Sequence, residues 1–447
     1  METILLEQAF TENMKQFEPF ENKPVLALAV SGGPDSMALL HCATRWMRSR
    51  QASLTVLTVN HQLRAEAKDE VTKVAEWAEN LGLSCHILTI PDKLSGNNMS
   101  AQAREWRYRL LTGWCRDNHV LHLLTAHHQD DQVETFFNRL ERGSGLEGLS
   151  CMRQITYMNG VRLLRPLLSS PKELISQFLL KEKIDWVKDP TNEDDNYFRA
   201  RFRKIFPQLS DQGLVSAPRV MLAIANLQRA NAMIEDELSR LTAQYIEISP
   251  AGYMMIDTGF FNKAPAEVAL RVLNRCLMII GGHRDSVRYS TLDHLYQRLL
   301  QAPLSTATSA GCCVVGGIKN KIMIYRERHA MAAPLKLEFG EQLWDCRFIV
   351  TYTAAKKDQM HCHVGQLSLG RSALLKWLKS NLITLNPVQR HLLKNLPSQV
   401  YPTLPAIYQQ DQLVAVPYFN CHIPLFNLSD FSAVLWTARS LTKMESI

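Results

Sequence analysis

The chain has 447 residues, 46% hydrophobic and 21% charged, with 50 basic against 43 acidic side chains and a net charge of +7. That length exceeds one hydrophobic core and implies two or three domains of an ordinary globular protein. The positive surplus is compatible with a polyanionic partner without requiring one. The first strong element is Val25–Val30, an apolar run too short for a helix and suited to a strand covered on both faces. Ser31-Gly32-Gly33-Pro34-Asp35-Ser36 follows, and Met37, Leu39 and Leu40 then start a helix. Both glycines allow positive φ and close backbone approach, and the helix's first amides point back at the loop as an anion site. Ser31 and Ser36 add hydroxyl donors, and Asp35 is placed to hold a magnesium ion or a polar group beside bound phosphate. An ordinary strand–turn–helix corner is the alternative. No Lys follows the glycines as a Walker loop needs, and Ser36 stands where the dinucleotide fingerprint needs a third glycine.

Alternating elements continue to about residue 142: a strand at Leu54–Val59, a helix over Glu70–Leu81, a strand at Cys85–Ile90, a helix from Ser100 to Asn118, a strand at Leu121–Ala126 and a helix from Asp130 to Arg142. Repeated βα units of this length predict a parallel sheet with helices on both faces, a doubly wound α/β fold. Ligands in such sheets lie at the carboxyl ends of strands, which puts 31–36, 60–64 and 125–131 on one edge. Residues 172–207 read as helical and charged. Ser216 and Pro218 then open a long helix reaching about Tyr245. Helices near Ala266–Ile280 and Tyr289–Leu300, and strands at Cys313–Ile318 and Ile322–Tyr325, precede a junction at Ala332-Ala333-Pro334. Strands at Phe348–Tyr352 and Leu413–Val416 and a helix around Ser372–Leu382 follow it. The expected division is 1–215, an α/β catalytic domain; 216–333, a mainly helical central domain; and 334–447, a small α+β domain.

The second chemical cluster is Thr125-Ala126-His127-His128-Gln129-Asp130-Asp131-Gln132-Val133-Glu134. It leaves a strand and enters a helix, where Asp131 and Glu134 share one face; capping and dipole roles are the plainer reading of acids there. Arg104, Arg107 and Tyr108 share a helix face suited to clamping phosphate or RNA backbone, or to simple solvation. His61 and Arg64 follow the second strand, within reach of a nucleotide at that edge. Asp189-Pro190-Thr191-Asn192 leads into Arg199, Arg201, Arg203 and Lys204, interleaved with Phe198 and Phe202, an RNA-facing surface or a helix rim. Ten cysteines carry no C-x-x-C pair, so reduced thiols are expected, and His361-Cys362-His363 matches no zinc spacing. Glu2, Glu7 and Glu12 argue against a secretory signal, and no run approaches the roughly 18 apolar residues of a membrane span, so a cytoplasmic protein is expected.

S-G-G-P-D-S resembles the S-G-G-x-D-S pyrophosphate loop of the N-type ATP pyrophosphatases, which release pyrophosphate and leave AMP. Together with V-N-H-Q-L-R (59–64), A-R-E-W-R-Y (103–108), T-A-H-H-Q-D-D-Q-V-E-T (125–135), R-P-L (165–167), D-P-T-N (189–192) and L-P-A-I-Y-Q-Q-D-Q-L-V-A-V-P (404–417), it makes the chain resemble the tRNA(Ile)-lysidine synthase family. The likeness is strong over 24–206, fair over 260–302 and 387–420, and thin elsewhere. It implies a PP-loop fold of the adenine nucleotide alpha hydrolase type, with ATP and Mg2+ as cofactors. It further implies adenylation of the wobble cytosine of a CAU-anticodon isoleucine tRNA, attack by free lysine, and a codon change from AUG to AUA. Ser31, Gly32, Gly33, Pro34, Asp35, Ser36, His61 and Arg64 would then hold the nucleotide, with Asp35 at the metal. Asp131 and Glu134 would receive the lysine ammonium beside His127, and Arg107 would face the activated tRNA. The resemblance allows a homodimer and implies tRNA contacts in the last two domains. A PP-loop thiolase acting on tRNA and an inactive nucleotide-binding RNA adaptor are the alternatives.

Overall fold

The computed structural model describes residues 2–62, 67–91, 99–187, 198–283, 285–301, 306–353, 362–422 and 431–435. The chain divides between Ala232 and Met233 into two compact units. Unit one contains α1 (Glu2–Gln16), β1 (Val25–Ala29), α2 (Pro34–Arg50), β2 (Ser53–Asn60), α3 (Ala67–Asn80), β3 (Ser84–Thr89), α4 (Met99–Asp117), β4 (His122–Leu124) and α5 (Gln129–Glu141). It continues through α6 (Leu146–Leu149), β5 (Ile155–Met158), β6 (Val161–Leu164), α7 (Lys172–Lys181), α8 (Phe198–Asp211) and the first part of α9 (Ala217–Tyr245).

Its sheet has the order β3-β2-β1-β4-β6-β5. All neighbours are parallel except β5, which pairs antiparallel with β6 and closes one edge. Along β1, Leu26 and Leu28 face a core made with α1, α2 and α7, while Ala27 faces Tyr108, Leu111 and Cys115 of α4. Period two thus splits one strand between two cores, as a sheet covered on both faces requires. From β1 the chain moves outward through β2 and β3, then returns to β4 on β1's other side. That reversal opens a crevice at the carboxyl ends of β1 and β4, the switch point where α/β sheets bind ligands.

Helices α1 and α6 and the β5–β6 hairpin of this unit escape the sequence reading. Helix α1 buries Leu6, Phe10 and Met14, an i, i+4, i+8 stripe, against Ile175 and Phe178 of α7. The β5–β6 hairpin is short, and its Asn159-Gly160 turn has positive φ at both residues. The apolar stripe of α1 is sparse, and each strand of the hairpin has only four residues, too few for an alternation to stand out.

Unit two begins in α9 and contains β7 (Ile246–Ser249), β8 (Tyr253–Asp257), α10 (Gly259–Lys263), α11 (Ala266–Gly281), α12 (Tyr289–Gln301), β9 (Thr308–Ala310), β10 (Cys313–Ile318) and β11 (Lys321–Arg326). The expected helices pack on an antiparallel sheet of order β7-β8-β11-β10-β9, of which the sequence marks only β10 and β11. Next come β12 (Leu335–Lys336), β13 (Gly340–Trp344), β14 (Phe348–Tyr352), β15 (Cys362–Gln366), α13 (Arg371–Ser380), α14 (Pro387–Asn395), β16 (Pro405–Gln409), β17 (Gln412–Val416), β18 (Cys421–His422) and β19 (Phe431–Leu435). They form sheets β12-β15-β16-β17-β18 and β13-β14-β19. His361 lies outside the described residues; Cys362 is buried, and His363 stacks on Tyr408 at 5.5 Å. Among the described residues no helix is long and apolar enough to cross a membrane.

A buried ionic cluster ties these sheets together. Asp345 accepts from Arg347 Nε at 2.7 Å, from Arg326 Nη2 at 2.8 Å and from the Ala332 amide at 2.8 Å. Arg347, fully buried, also reaches the carbonyls of Gly252 and Thr403. Two buried guanidinium groups share one carboxylate, so removing it leaves uncompensated charge. Asp345→Ala is expected to lower stability by about 3–5 kcal/mol, read from urea melts of the full chain, with Asp345→Asn intermediate.

Candidate active site

Strand β1 hands the chain to the loop with Val30 N–H donating to Leu57 O at 2.9 Å. Gly32 has φ +84°, and its carbonyl accepts from Val187 N–H at 2.9 Å. A Cβ there would lie 3.0 Å from Val74 Cγ2 and 3.2 Å from Val187 Cγ2, so glycine is required for both conformation and space. Gly33 is extended (φ −70°) and caps α2 without a side-chain bond, so of the two glycines only Gly32 uses the left-handed region. Pro34 starts the helix, giving up an amide that would have no partner anyway. Ser36 Oγ donates to Gly33 O at 2.8 Å and accepts from Ser31 N–H at 3.2 Å. The loop is therefore closed on itself while the first-turn amides of α2 face the crevice.

Helix α5 starts at the same crevice. His128 is its N-cap: Nδ1 accepts from the Asp130 amide at 3.2 Å, and Asp131 returns the bond from the His128 amide at 3.1 Å. With Nδ1 engaged, Nε2 faces Asp35 Oδ2 and Asp131 Oδ2, each 3.6 Å away. Burial opposes protonation of this imidazole, yet the two carboxylates lift its pKa above the ordinary value. Lys172, the first residue of α7, forms an ion pair with the other oxygen of Asp35. Burial alone would raise the Asp35 pKa; His128 and Lys172 outweigh it and hold the carboxyl below its usual range.

On the opposite wall, Arg104 and Arg107 lie over the Tyr108 ring at 5.3 and 5.1 Å. Behind them Arg165 is buried, with Nη1 donating to Arg153 O at 2.7 Å and Thr156 Oγ1 at 2.8 Å. His127 Nδ1 contacts Thr125 Oγ1 at 3.1 Å. Burial, then the charges of Arg165, Arg107, Arg104 and Arg199, drives the His127 pKa well below its ordinary value, so its imidazole is neutral. His61 is lowered likewise by burial and then Arg107. This wall is a concentrated positive surface carrying a neutral imidazole, suited to a phosphate or phosphodiester.

Farther along α5, Glu134 is 2% exposed. Arg203 Nη2 lies 3.3 Å from its Oε2, with Nε on the other oxygen, and Arg199 Nε lies 3.6 Å from Oε2. Burial pushes the Glu134 pKa up, Arg203 pulls against it, and Asp131 adds repulsion. Phe202 and Phe206 of α8 pack on Phe137 of α5, so Phe202 serves the core while the arginines line the rim.

One cleft of about 1100 Å³ is lined by Ser31, Gly33, Pro34, Asp35, Ser36, His61, Arg107, His127, Asp131 and Glu134. Arg64 and Asp189–Asn192 lie outside the described residues. The cleft also takes in His128, Lys172 and Arg203, to which the sequence reading gave no role at this site. His128 stands directly before Gln129-Asp130-Asp131, where the helix cap falls, and Lys172 opens the charged helical stretch after β6. Arg165 appeared there only within R-P-L.

Gly32→Ala is expected to cost about 1–2 kcal/mol from the left-handed backbone alone, measured by urea melts, and to weaken nucleotide binding. A depressed Asp35 pKa stabilises the fold above the unfolded carboxyl value of about 3.9, and that gain is lost as pH falls through the folded value. The melting-temperature gap between native protein and Asp35→Asn is therefore expected to be full at pH 7 and to close below about pH 4.

Residues 6–209 match the family model of the PP-loop domain. A tRNA(Ile)-lysidine synthase of Orientia tsutsugamushi (strain Boryong) is 34% identical over 93% of this chain and 93% of its own. Those of Wolbachia sp. subsp. Brugia malayi (strain TRS) and Rickettsia prowazekii (strain Madrid E) are 35% identical over 77% of this chain and 80% of theirs, and 33% over 88% and 89%, respectively. At such identity over nearly the whole length, the chain belongs to the tRNA(Ile)-lysidine synthase family and carries that family's PP-loop domain at its amino-terminal side.

Proposed function

We propose that this chain ligates free lysine to position 2 of the wobble cytosine of a CAU-anticodon isoleucine tRNA, with ATP cleaved to AMP and pyrophosphate. The observation that carries the reading is a single cleft lined by the phosphate loop, Arg107 and two carboxylates on one helix face. Cytosine O2 is a poor leaving group until it becomes a phosphoryl ester. The first reaction therefore joins O2 to the α-phosphorus and expels pyrophosphate. The Gly33 and α2 amides are suited to absorb the charge that departs, while the Ser31 and Ser36 hydroxyls, bonded within the loop, would hold it in shape. Arg107 and Arg104 would hold the phosphate of the activated base, and neutral His127 can accept or donate a hydrogen bond there without adding repulsion. Lysine would enter with its ammonium on Asp131 and Glu134; its amine attacks C2 after losing a proton, and AMP leaves.

Magnesium binds through one or two carboxylates together with substrate phosphates. Asp35, ionised and beside the loop, fits that requirement, and no group of three or more His, Cys, Asp or Glu forms a closed metal cage among the described residues. Bound there, Mg2+ would neutralise part of the triphosphate charge. The division into a catalytic domain (1–215), a central domain (216–333) and a small C-terminal domain (334–447), the latter two contacting tRNA, belongs to the same proposal.

A thiolase reading is disfavoured by the thiols. Burial pushes Cys42 and Cys115 up to about 12, and Cys85 and Cys151 up to about 11, the reverse of a nucleophilic cysteine. No cysteine lines the cleft among the described residues. Incorporation of labelled lysine into unmodified tRNA is the decisive assay. Asp35→Ala is expected to cut it more than a hundredfold while the protein stays folded by circular dichroism. Tracer-free tRNA with the wild-type chain would defeat the proposal.

A further inference from the structure

Glu134 is buried at the cleft wall, yet its cations come from another helix and are half exposed: the side chains of Arg203 and Arg199 are 46% and 48% accessible. A buried carboxylate that stays ionised needs a counter-charge. Arg203 supplies it by spanning both oxygens. Helix α8 is held by Phe202 and Phe206 against Phe137, so a guanidinium can leave without its helix moving. Helix α8 also carries Arg199, Arg201, Arg203 and Lys204 with no acid before Asp211, and Arg199 and Arg203, four residues apart, share a face that a phosphate can compete for.

We infer that Arg203, assisted by Arg199, is a resident cation occupying the ammonium position of the amino-acid substrate, and that a tRNA phosphate draws it away so that lysine enters only the tRNA-loaded enzyme. This rests on the reading of Asp131 and Glu134 as the lysine site. Arg203 then acts twice, first as a stand-in for lysine and afterwards as a clamp on the nucleic acid. Exchange of one cation for another leaves Glu134 compensated throughout. The phosphate could come from tRNA or from the nucleotide, and the two sources are separable.

Equilibrium dialysis of labelled lysine at pH 8, without hydrolysable ATP, tests it. The full chain is compared alone, with CAU-anticodon isoleucine tRNA, and with a non-hydrolysable ATP analogue. Native protein is expected to bind lysine at least tenfold more tightly with tRNA, and the analogue alone to leave affinity unchanged. The double variant Arg199→Gln/Arg203→Gln is expected to bind without tRNA as tightly as the loaded native protein, and Arg203→Lys to keep the block. Unchanged or weaker lysine binding in the double variant overturns the inference, as does enhancement by the analogue alone. If the double variant does not fold, Arg203→Gln alone is read the same way, a threefold gain being the threshold. Glu134→Gln separates the two readings: lysine binding that survives it, with tRNA present, removes the lysine site itself and not merely its gate.

Discussion

Two helix N-termini meeting at the crevice between β1 and β4 are the constraint on which the site depends. Helix α2 brings uncapped amides and Asp35; α5 brings His128, whose ring closes its own cap on one nitrogen and faces Asp35 and Asp131 with the other. One imidazole thus fixes the separation between the phosphate loop and the acidic helix. The positive ends of both helices lie where a polyanion would sit, and the carboxylates beside them are compatible with that field only because cations accompany them.

The same cleft sorts its charges into separate zones. Arginines 104, 107 and 165 cluster around a neutral His127, while the acids of α5 look toward Asp35 on one side and the arginines of α8 on the other. Mixing the zones would cancel them. Their separation follows from chain order, because α4 delivers the arginine wall from one face of the sheet and α5 begins beyond the edge of β4. A phosphoryl group and an ammonium can then occupy neighbouring positions without exchanging partners.

Much of this was legible in the sequence because local rules and function agree there. Val25–Val30 followed by two glycines and a proline names a strand, a left-handed turn and a helix start, and the βα alternation names the sheet. What stayed hidden is non-local. His128 has no sequence signal for proximity to Asp35, Lys172 lies far along the chain from its partner, and the pairing of Arg203 with Glu134 depends on how α8 docks. Helix α1 was hidden for a different reason: its apolar stripe is sparse, and only packing on α7 makes it decisive. In unit two, β7, β8 and β9 are short and partly polar, so period-two alternation had too few residues to stand out.

Stability and chemistry pull apart at Glu134 and together at Asp345, though both are buried acids between two arginines. Asp345 is enclosed with its partners: Arg347 is fully buried, Arg326 nearly so, and the Ala332 amide fills a remaining lone pair. Nothing there can leave without exposing charge to a dry interior, which is what a structural tie requires. Glu134 is equally buried, but its arginines open to solvent on one side, and its pKa is raised despite them. A purely structural acid would gain by being as fully enclosed as Asp345. The half-open arrangement is the weaker tie and the better site, because a cation can be exchanged there while the carboxylate stays in place.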